Sequence, residues 1–226
     1  MKGSRPTEAA RTGAGARRTL RVGLTGPIGC GKSAIAAVIA AQGGVVIDAD
    51  RLARDATPPG SAALEAIRAR FGDGVILEDG TLDRAGMARI AFSDPVALRD
   101  LETIVHPAVR PLIERAVADA ESAGAPVVVV EAIKLVEAGY AARCDEVWLV
   151  TCTRDQQRER LAARGLSPDE ADRRMAIQGP DLVDRLRPRA TAVIDASGTR
   201  EDTRRNALAA LEAALSDDTR QVPTAS

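Results

Sequence analysis

The sequence predicts an α/β fold organised on a parallel sheet, and three observations carry that prediction. Gly26-Pro27-Ile28-Gly29-Cys30-Gly31-Lys32-Ser33 fits the pattern G-x-x-x-x-G-K-[ST]. It lies between an apolar run of strand length (Leu20, Val22, Leu24) and a segment where Ile35, Val38 and Ile39 recur at helical spacing among alanines. Finally, Val127-Val128-Val129-Val130-Glu131 is a continuous β-branched run that ends in an acid, the composition of a strand buried on both faces.

The first element to justify is the glycine loop. Its glycines let the backbone curl so that successive N–H groups point inward at a phosphate, while the following helix presents its positive N-terminus. Gly26, Ile28, Gly29, Cys30, Gly31, Lys32, Ser33 and Ala34 are therefore expected to hold nucleotide phosphates. Lys32 reaches the outer phosphates and the Ser33 hydroxyl is placed to ligate Mg²⁺, which implies ATP or GTP.

Bulk properties narrow the function further. A chain of 226 residues suits one compact core, or a core carrying one inserted lobe. A net charge of -1 and 2% aromatic residues argue against a nucleic-acid binder and point to a small-molecule substrate. Three cysteines, with Cys144 and Cys152 flanking one expected strand and no metal-ligand spacing, suggest a reducing cytosol. No apolar stretch is long enough to span a membrane, and a soluble protein is expected.

Residues 1–19 carry five basic side chains among small polar ones and read as a disordered arm, a solvated extension rather than an interaction tail. Gly43-Gly44 should end the helix after the loop, and Val45-Val46-Ile47 forms a short strand that ends in Asp48-Ala49-Asp50. Ligands of open parallel sheets bind beyond the carboxyl ends of the strands, so Asp50 should emerge near the loop. Either acid could take a proton from a substrate hydroxyl, hold a metal through water, or cap the helix starting at Arg51. Residues 57–122 are mainly helical: Leu64, Ile67 and Phe71 make a stripe, Gly72-Asp73-Gly74 breaks it, and Asp94-Pro95 starts another helix. His106-Pro107 should interrupt that helix, leaving the only histidine at a bend with Arg110 one turn on.

Glu131, at the end of its strand, is a second metal-side acid beside Ser33, and Lys134 and Glu137 follow it. Glu146–Thr151 gives a fourth strand. The arginine-dense stretch after it should form two helices joined at Gly165, the second opened by a capping box at Ser167-Pro168-Asp169-Glu170. These would make a lid over a phosphoryl group, with Arg164 beside the turn as its working arginine. The remaining arginines alternate with acids and read as a salt-bridged face. Ala192–Asp195 is a fifth strand, a last helix runs through Leu208, Leu211 and Leu215, and residues 216–226 should fray.

With these residues in place, the sequence resembles the dephospho-coenzyme A kinases over roughly Leu20 to Leu215. The resemblance is carried by the phosphate loop, by Asp48-Ala49-Asp50 with Arg51-Leu52-Ala53-Arg54, by His106-Pro107-Ala108-Val109-Arg110, and by Val193-Ile194-Asp195-Ala196-Ser197-Gly198. It implies a three-layer α/β/α sandwich of the nucleotide-kinase kind with a five-stranded parallel sheet, a helical substrate lobe at 57–122 and a lid at 154–180. The implied reaction moves the γ-phosphoryl of ATP, with Mg²⁺, to the ribose 3′-hydroxyl of dephospho-CoA in the cytoplasm. The enzyme would act as a monomer or weak oligomer.

Under that resemblance Asp50 is the general base, Lys32 and Arg164 neutralise the phosphoryl group, and Asp48, Arg54, His106 and Arg110 contact the acceptor. A kinase for another small acceptor, such as a nucleoside monophosphate or a sugar acid, is the competing enzyme reading, and a nucleotide-gated regulatory protein the non-enzymatic one. Three departures from the family pattern stand out: Glu131 in place of Asp with Lys134 in the segment that follows, Ala196 in place of Asn, and Pro27 in place of Gly.

Overall fold

The computed structural model describes residues 18–216. Five strands, β1 (Leu20–Thr25), β2 (Val45–Asp48), β3 (Val127–Glu131), β4 (Glu146–Thr151) and β5 (Ala192–Asp195), pair in the order β2-β3-β1-β4-β5. Every pairing is parallel, as the sequence predicts. All carboxyl ends therefore lie along one edge, and the register sets Asp48 opposite Glu131 there.

Strand periodicity separates the two faces. Val127, Val129, Trp148 and Val150 pack with Leu20, Val22 and Leu24 against α1 (Lys32–Ala41) and, across the same layer, against Ala207, Leu211 and Ala214 of the last helix. On the other face Val128, Val130 and Val147 pack with Ile47 and with Val109, Ile113 and Val117. The result is the three-layer α/β/α sandwich implied by the resemblance.

Three helices follow β2: α2 (Ala49–Asp55), α3 (Ala62–Phe71) and α4 (Arg84–Ser93). Asp48 is the cap of α2, accepting from the Arg51 N–H at 2.9 Å. Leu64, Ile67, Val75, Leu82, Met87 and Ala91 bury one another in a small cluster of their own, against the first half of α5 (Pro95–Ser122).

The interruption expected at His106-Pro107 does not occur, because α5 is a single helix of 28 residues through both Pro107 and Pro111. An interior proline costs about 3 kcal/mol through its missing donor and its ring. Burial of Val109, Ile113 and Val117 against the sheet returns about 1.5–3 kcal/mol per side chain, so packing overrides the local preference.

The last elements are α6 (Arg154–Ala162), α7 (Pro168–Gln178), α8 (Leu182–Leu186) and α9 (Arg200–Ser216). The reciprocal capping box falls on α6, between Thr153 and Gln156, while at α7 only the Ser167 side chain is engaged, by the Glu170 N–H. The salt-bridged face expected over this stretch is only partly present among the described residues: Arg158 pairs with Asp172 at 2.8 Å and Arg174 with Glu170 at 2.6 Å, while Arg154, Arg160, Arg164 and Arg173 have no acidic partner within ion-pair distance.

Arg18 and Thr19 correct the arm's boundary, since Arg18 pairs with Asp145 and Thr19 Oγ1 donates to the Ala125 carbonyl at 2.8 Å. The rest of the expected arm and the expected tail beyond Ser216 lie outside the described residues.

Candidate active site

The glycine loop connects β1 to α1 and is pressed against β4. A Cβ on Gly26, at φ +140°, would lie 2.3 Å from the Val150 carbonyl oxygen, so only glycine permits this approach. Two glutamines hold the loop at Ile28: its N–H donates to Gln178 Oε1 at 2.9 Å and its carbonyl accepts from Gln157 Nε2 at 2.8 Å. Arg160 donates to the Cys30 carbonyl at 3.1 Å and to the Ala196 carbonyl at 2.7 Å.

Among the predicted phosphate contacts, the Cys30 and Ala34 N–H groups are likewise turned to partners within the loop, Pro27 and Gly31. Those of Gly29, Gly31, Lys32 and Ser33 have no acceptor among the described residues. Four such donors at the N-terminus of α1 constitute an anion nest. Pro27 lacks a donor at a position whose carbonyl is what matters, because Lys32 Nζ donates to the Pro27 carbonyl at 3.2 Å and to that of Gly26 at 2.9 Å.

Cys30 and Cys152 are joined in a disulfide, which corrects the expectation of three reduced thiols; Cys144 alone is free among the described residues. The cause is topological. β1 and β4 are sheet neighbours, so the loop after one meets the residue after the other, with Cα atoms 5.2 Å apart despite 122 positions of sequence separation.

Charge concentrates at this edge. Burial pushes the Lys32 ammonium down to about 8, with Arg164 adding to the effect and Glu131 and Asp50 opposing it. Burial and the neighbouring Asp48 raise Asp50 above the ordinary carboxylate range, against the pull of Lys32 and Arg54. Glu131 is also raised, first by burial, while the Ser33 hydrogen bond and Lys32 act the other way. The three acids, Lys32 and Arg164 thus share one electrostatic site.

Ser33 Oγ donates to Glu131 Oε1 at 2.9 Å. This pair of hard oxygens beside a phosphate nest fits Mg²⁺, which takes one or two protein oxygens and completes its shell with phosphates and water. No larger set of His, Cys, Asp or Glu side chains able to hold a metal occurs among the described residues.

Asp50 also borders two hollows. One, between α2, α5 and the segment after β3, is walled by Val105, Val109, Ile113 and Leu135 and carries His106, Arg110 and Lys134. The other lies between α2, α4 and α5, with Leu82, Met87, Phe92 and Leu101 inside and Arg54 and Arg84 among its lining residues. His106 is shifted toward its neutral form by burial, with Lys134 and Arg110 reinforcing that and Glu102 and Glu137 opposing it.

Gln157, Gln178, Arg160 and Arg84 were not identified as site residues from the sequence. Arg160 is one of the arginines assigned there to a solvated face, and its two contacts with backbone carbonyls have no sequence signature. Arg84 donates to the Arg54 carbonyl at 2.7 Å and to Thr57 Oγ1 at 3.0 Å, fastening the end of α2.

A parallel sheet with an anion nest at its carboxyl edge, a buried lysine within it and carboxylates facing it defines a phosphate-loop phosphotransferase. The chain belongs to the dephospho-CoA kinase family, whose profile matches residues 20–202. It is 45% identical over 185 residues to the dephospho-CoA kinase of Geobacter sulfurreducens, covering 81% of this chain and 93% of that one. To the enzyme of Symbiobacterium thermophilum it is 43% identical, covering 85% and 80% respectively. Among solved structures, TT1252 from Thermus thermophilus superposes with a TM-score of 0.74 at 35% identity, covering 88% of this chain and all of that one. The fold is also that of a shikimate kinase from Acinetobacter baumannii, at a TM-score of 0.53 and 16% identity, covering 89% and 96%.

Proposed function

We propose that this chain transfers the γ-phosphoryl group of ATP to the ribose 3′-hydroxyl of dephospho-CoA, giving coenzyme A in the last step of its synthesis. Membership of the family supports the reaction. The observations that carry the site assignment are the electrostatic coupling of Lys32 to Asp50 and the place of Asp50 on the lining of the hollow between α2 and α5.

The nest at Gly29, Gly31, Lys32 and Ser33 binds the phosphates of ATP, and Gln157, Gln178 and Arg160 fix its shape before substrate arrives. The acceptor lies in the hollow between α2 and α5 so that its 3′-hydroxyl meets Asp50, which takes the proton as the oxygen attacks phosphorus. A carboxylate with a raised pKa holds that proton more firmly than an ordinary one, which favours its use as a base. Lys32 and Arg164 face the charge that spreads over the transferring group. Mg²⁺, when held by Ser33 and Glu131, supplies further neutralisation of the phosphate oxygens.

The helices of residues 57–122 serve as the acceptor lobe, with Arg54, His106 and Arg110 as contacts. Residues 154–180 serve as a lid that brings Arg164 over the phosphates. The enzyme acts in the cytoplasm on a diffusing substrate, as a monomer or weak oligomer; no helix among the described residues is long and apolar enough to cross a membrane.

A coupled assay with ATP, Mg²⁺ and dephospho-CoA tests this reading. Formation of coenzyme A at turnover well above ATP hydrolysis alone is the expected result. Efficient phosphorylation of a different acceptor, with none of dephospho-CoA, would overturn it. Asp50→Asn should lower kcat by a factor of about 10²–10⁴ with ATP affinity kept, the range typical of losing a general base.

A further inference from the structure

Lys134 lies in the hollow beside Asp50 and is used by none of the steps above. Its ammonium is paired with the Glu102 carboxylate, which lies on α5 one helical turn before His106, so the pair ties the acceptor helix to the segment after β3. The bond is not sealed from solvent: the lysine side chain is 40% exposed and that of Glu102 23%. An ion pair this accessible contributes about 0–1 kcal/mol, so exchanging the carboxylate for another anion costs little.

The surroundings favour such an exchange. Lys134 and Arg110 both act on His106 electrostatically, so two cations converge on one wall of the hollow, and Glu102 and Glu137 are the acids that face the same imidazole. The other wall is apolar, through Val105, Val109, Ile113 and Leu135. The acceptor carries a diphosphate on the ribose whose 3′-hydroxyl must meet Asp50. A diphosphate entering this hollow therefore finds Arg110 in no ion pair, held by one long hydrogen bond of 3.4 Å to the Ala138 carbonyl, and Lys134 held only by a partly solvated carboxylate.

We propose that Lys134 is a specificity-determining residue for the acceptor: on binding it leaves Glu102 and contacts the diphosphate, with Glu102 as the competitor that holds it in place beforehand. This deepens the reading of the hollow as the acceptor site and rests on it. Glu102 is then a gate on affinity, and the two partners of one ion pair should affect substrate binding in opposite directions. A pair that only braced the fold would give both substitutions the same sign.

Steady-state kinetics of Lys134→Leu, Lys134→Gln, Lys134→Arg and Glu102→Gln, varying dephospho-CoA and ATP separately, decide the matter. Removing the ammonium should raise KM for dephospho-CoA about tenfold, the loss of one charge-assisted contact, with kcat and KM for ATP within about twofold. Lys134→Arg should restore most of it. Glu102→Gln should leave KM for dephospho-CoA at or below the wild-type value. Should either neutral lysine variant fold and change KM for dephospho-CoA by less than about threefold, or should Glu102→Gln raise it, the assignment fails. Wild-type protein that does not use dephospho-CoA would instead overturn the function proposed above, whatever the variants do. Thermal midpoints of all four proteins, measured alongside, identify any variant that fails to fold, in which case the remaining lysine substitution gives the answer.

Discussion

Asp50 is placed where its chemistry works against its stability. Burial and Asp48 raise its pKa on folding, so the folded state holds the proton more tightly than the unfolded state does. Its contribution to stability is therefore complete below the unfolded pKa and is lost as pH rises through the folded value, leaving an ionised carboxylate that costs free energy at neutral pH. Asp50→Asn should consequently lose turnover while melting no lower than wild type, which a thermal scan beside the assay will show. In the active enzyme the acid limb of the kcat profile should fall above the ordinary carboxylate range, and Asp50→Asn should remove that limb from the residual rate.

Lys32 has the opposite sign. Folding lowers it from 10.5 to about 8, so the unfolded chain binds more protons between those values and stability from this group rises with pH there. A bound triphosphate favours the charged form and reverses the shift. ATP binding at about pH 9 should thus take up close to one proton, and at about pH 7 almost none. Calorimetric titration in buffers of different ionisation enthalpy measures this, and Lys32→Met should abolish the uptake.

At the scale of the element, α6 links the fold to the phosphate loop. It begins at the Thr153–Gln156 capping box and carries Gln157 and Arg160, whose side chains fasten the loop at Ile28 and Cys30. Removing the cap frays the first turn, of which Gln157 is the last residue. Thr153→Ala should cost about 1 kcal/mol in chemical denaturation and raise KM for ATP more than KM for dephospho-CoA. An equal rise in both would place the effect elsewhere than in the loop. α5 carries the other half of the site. Its unbroken course through Pro107 and Pro111 keeps His106 and Arg110 on one rigid rod packed against the sheet, rather than at a hinge.

For the whole molecule, the Cys30–Cys152 bridge is the one covalent cross-link among the described residues, closing 122 positions of sequence across neighbouring strands. A loop of this size contributes roughly 2–5 kcal/mol by restricting the unfolded state. Reduction should lower the denaturation midpoint accordingly. Titration of the unfolded, unreduced protein should find one thiol, and after reduction all three cysteines of the sequence. Three thiols before reduction would show the bridge to be absent from the isolated protein. Either result bears on the loop, because Cys30 is wholly buried within it.

The sequence by itself determined the strands, the phosphate loop and the acid that follows β2, because each depends on residues within about ten positions of one another. The continuous β-branched run from Val127 to Val130, glycines at Gly26, Gly29 and Gly31, and Asp48 before a helical run are local patterns with local physical causes. The straight passage of α5 through its prolines, the pairing of Cys30 with Cys152, and the turning of Arg160 from a solvated face to two backbone carbonyls were decided only by the tertiary structure. In each case a local preference met the packing or strand adjacency of residues far away in the chain, and the larger, non-local free energy prevailed.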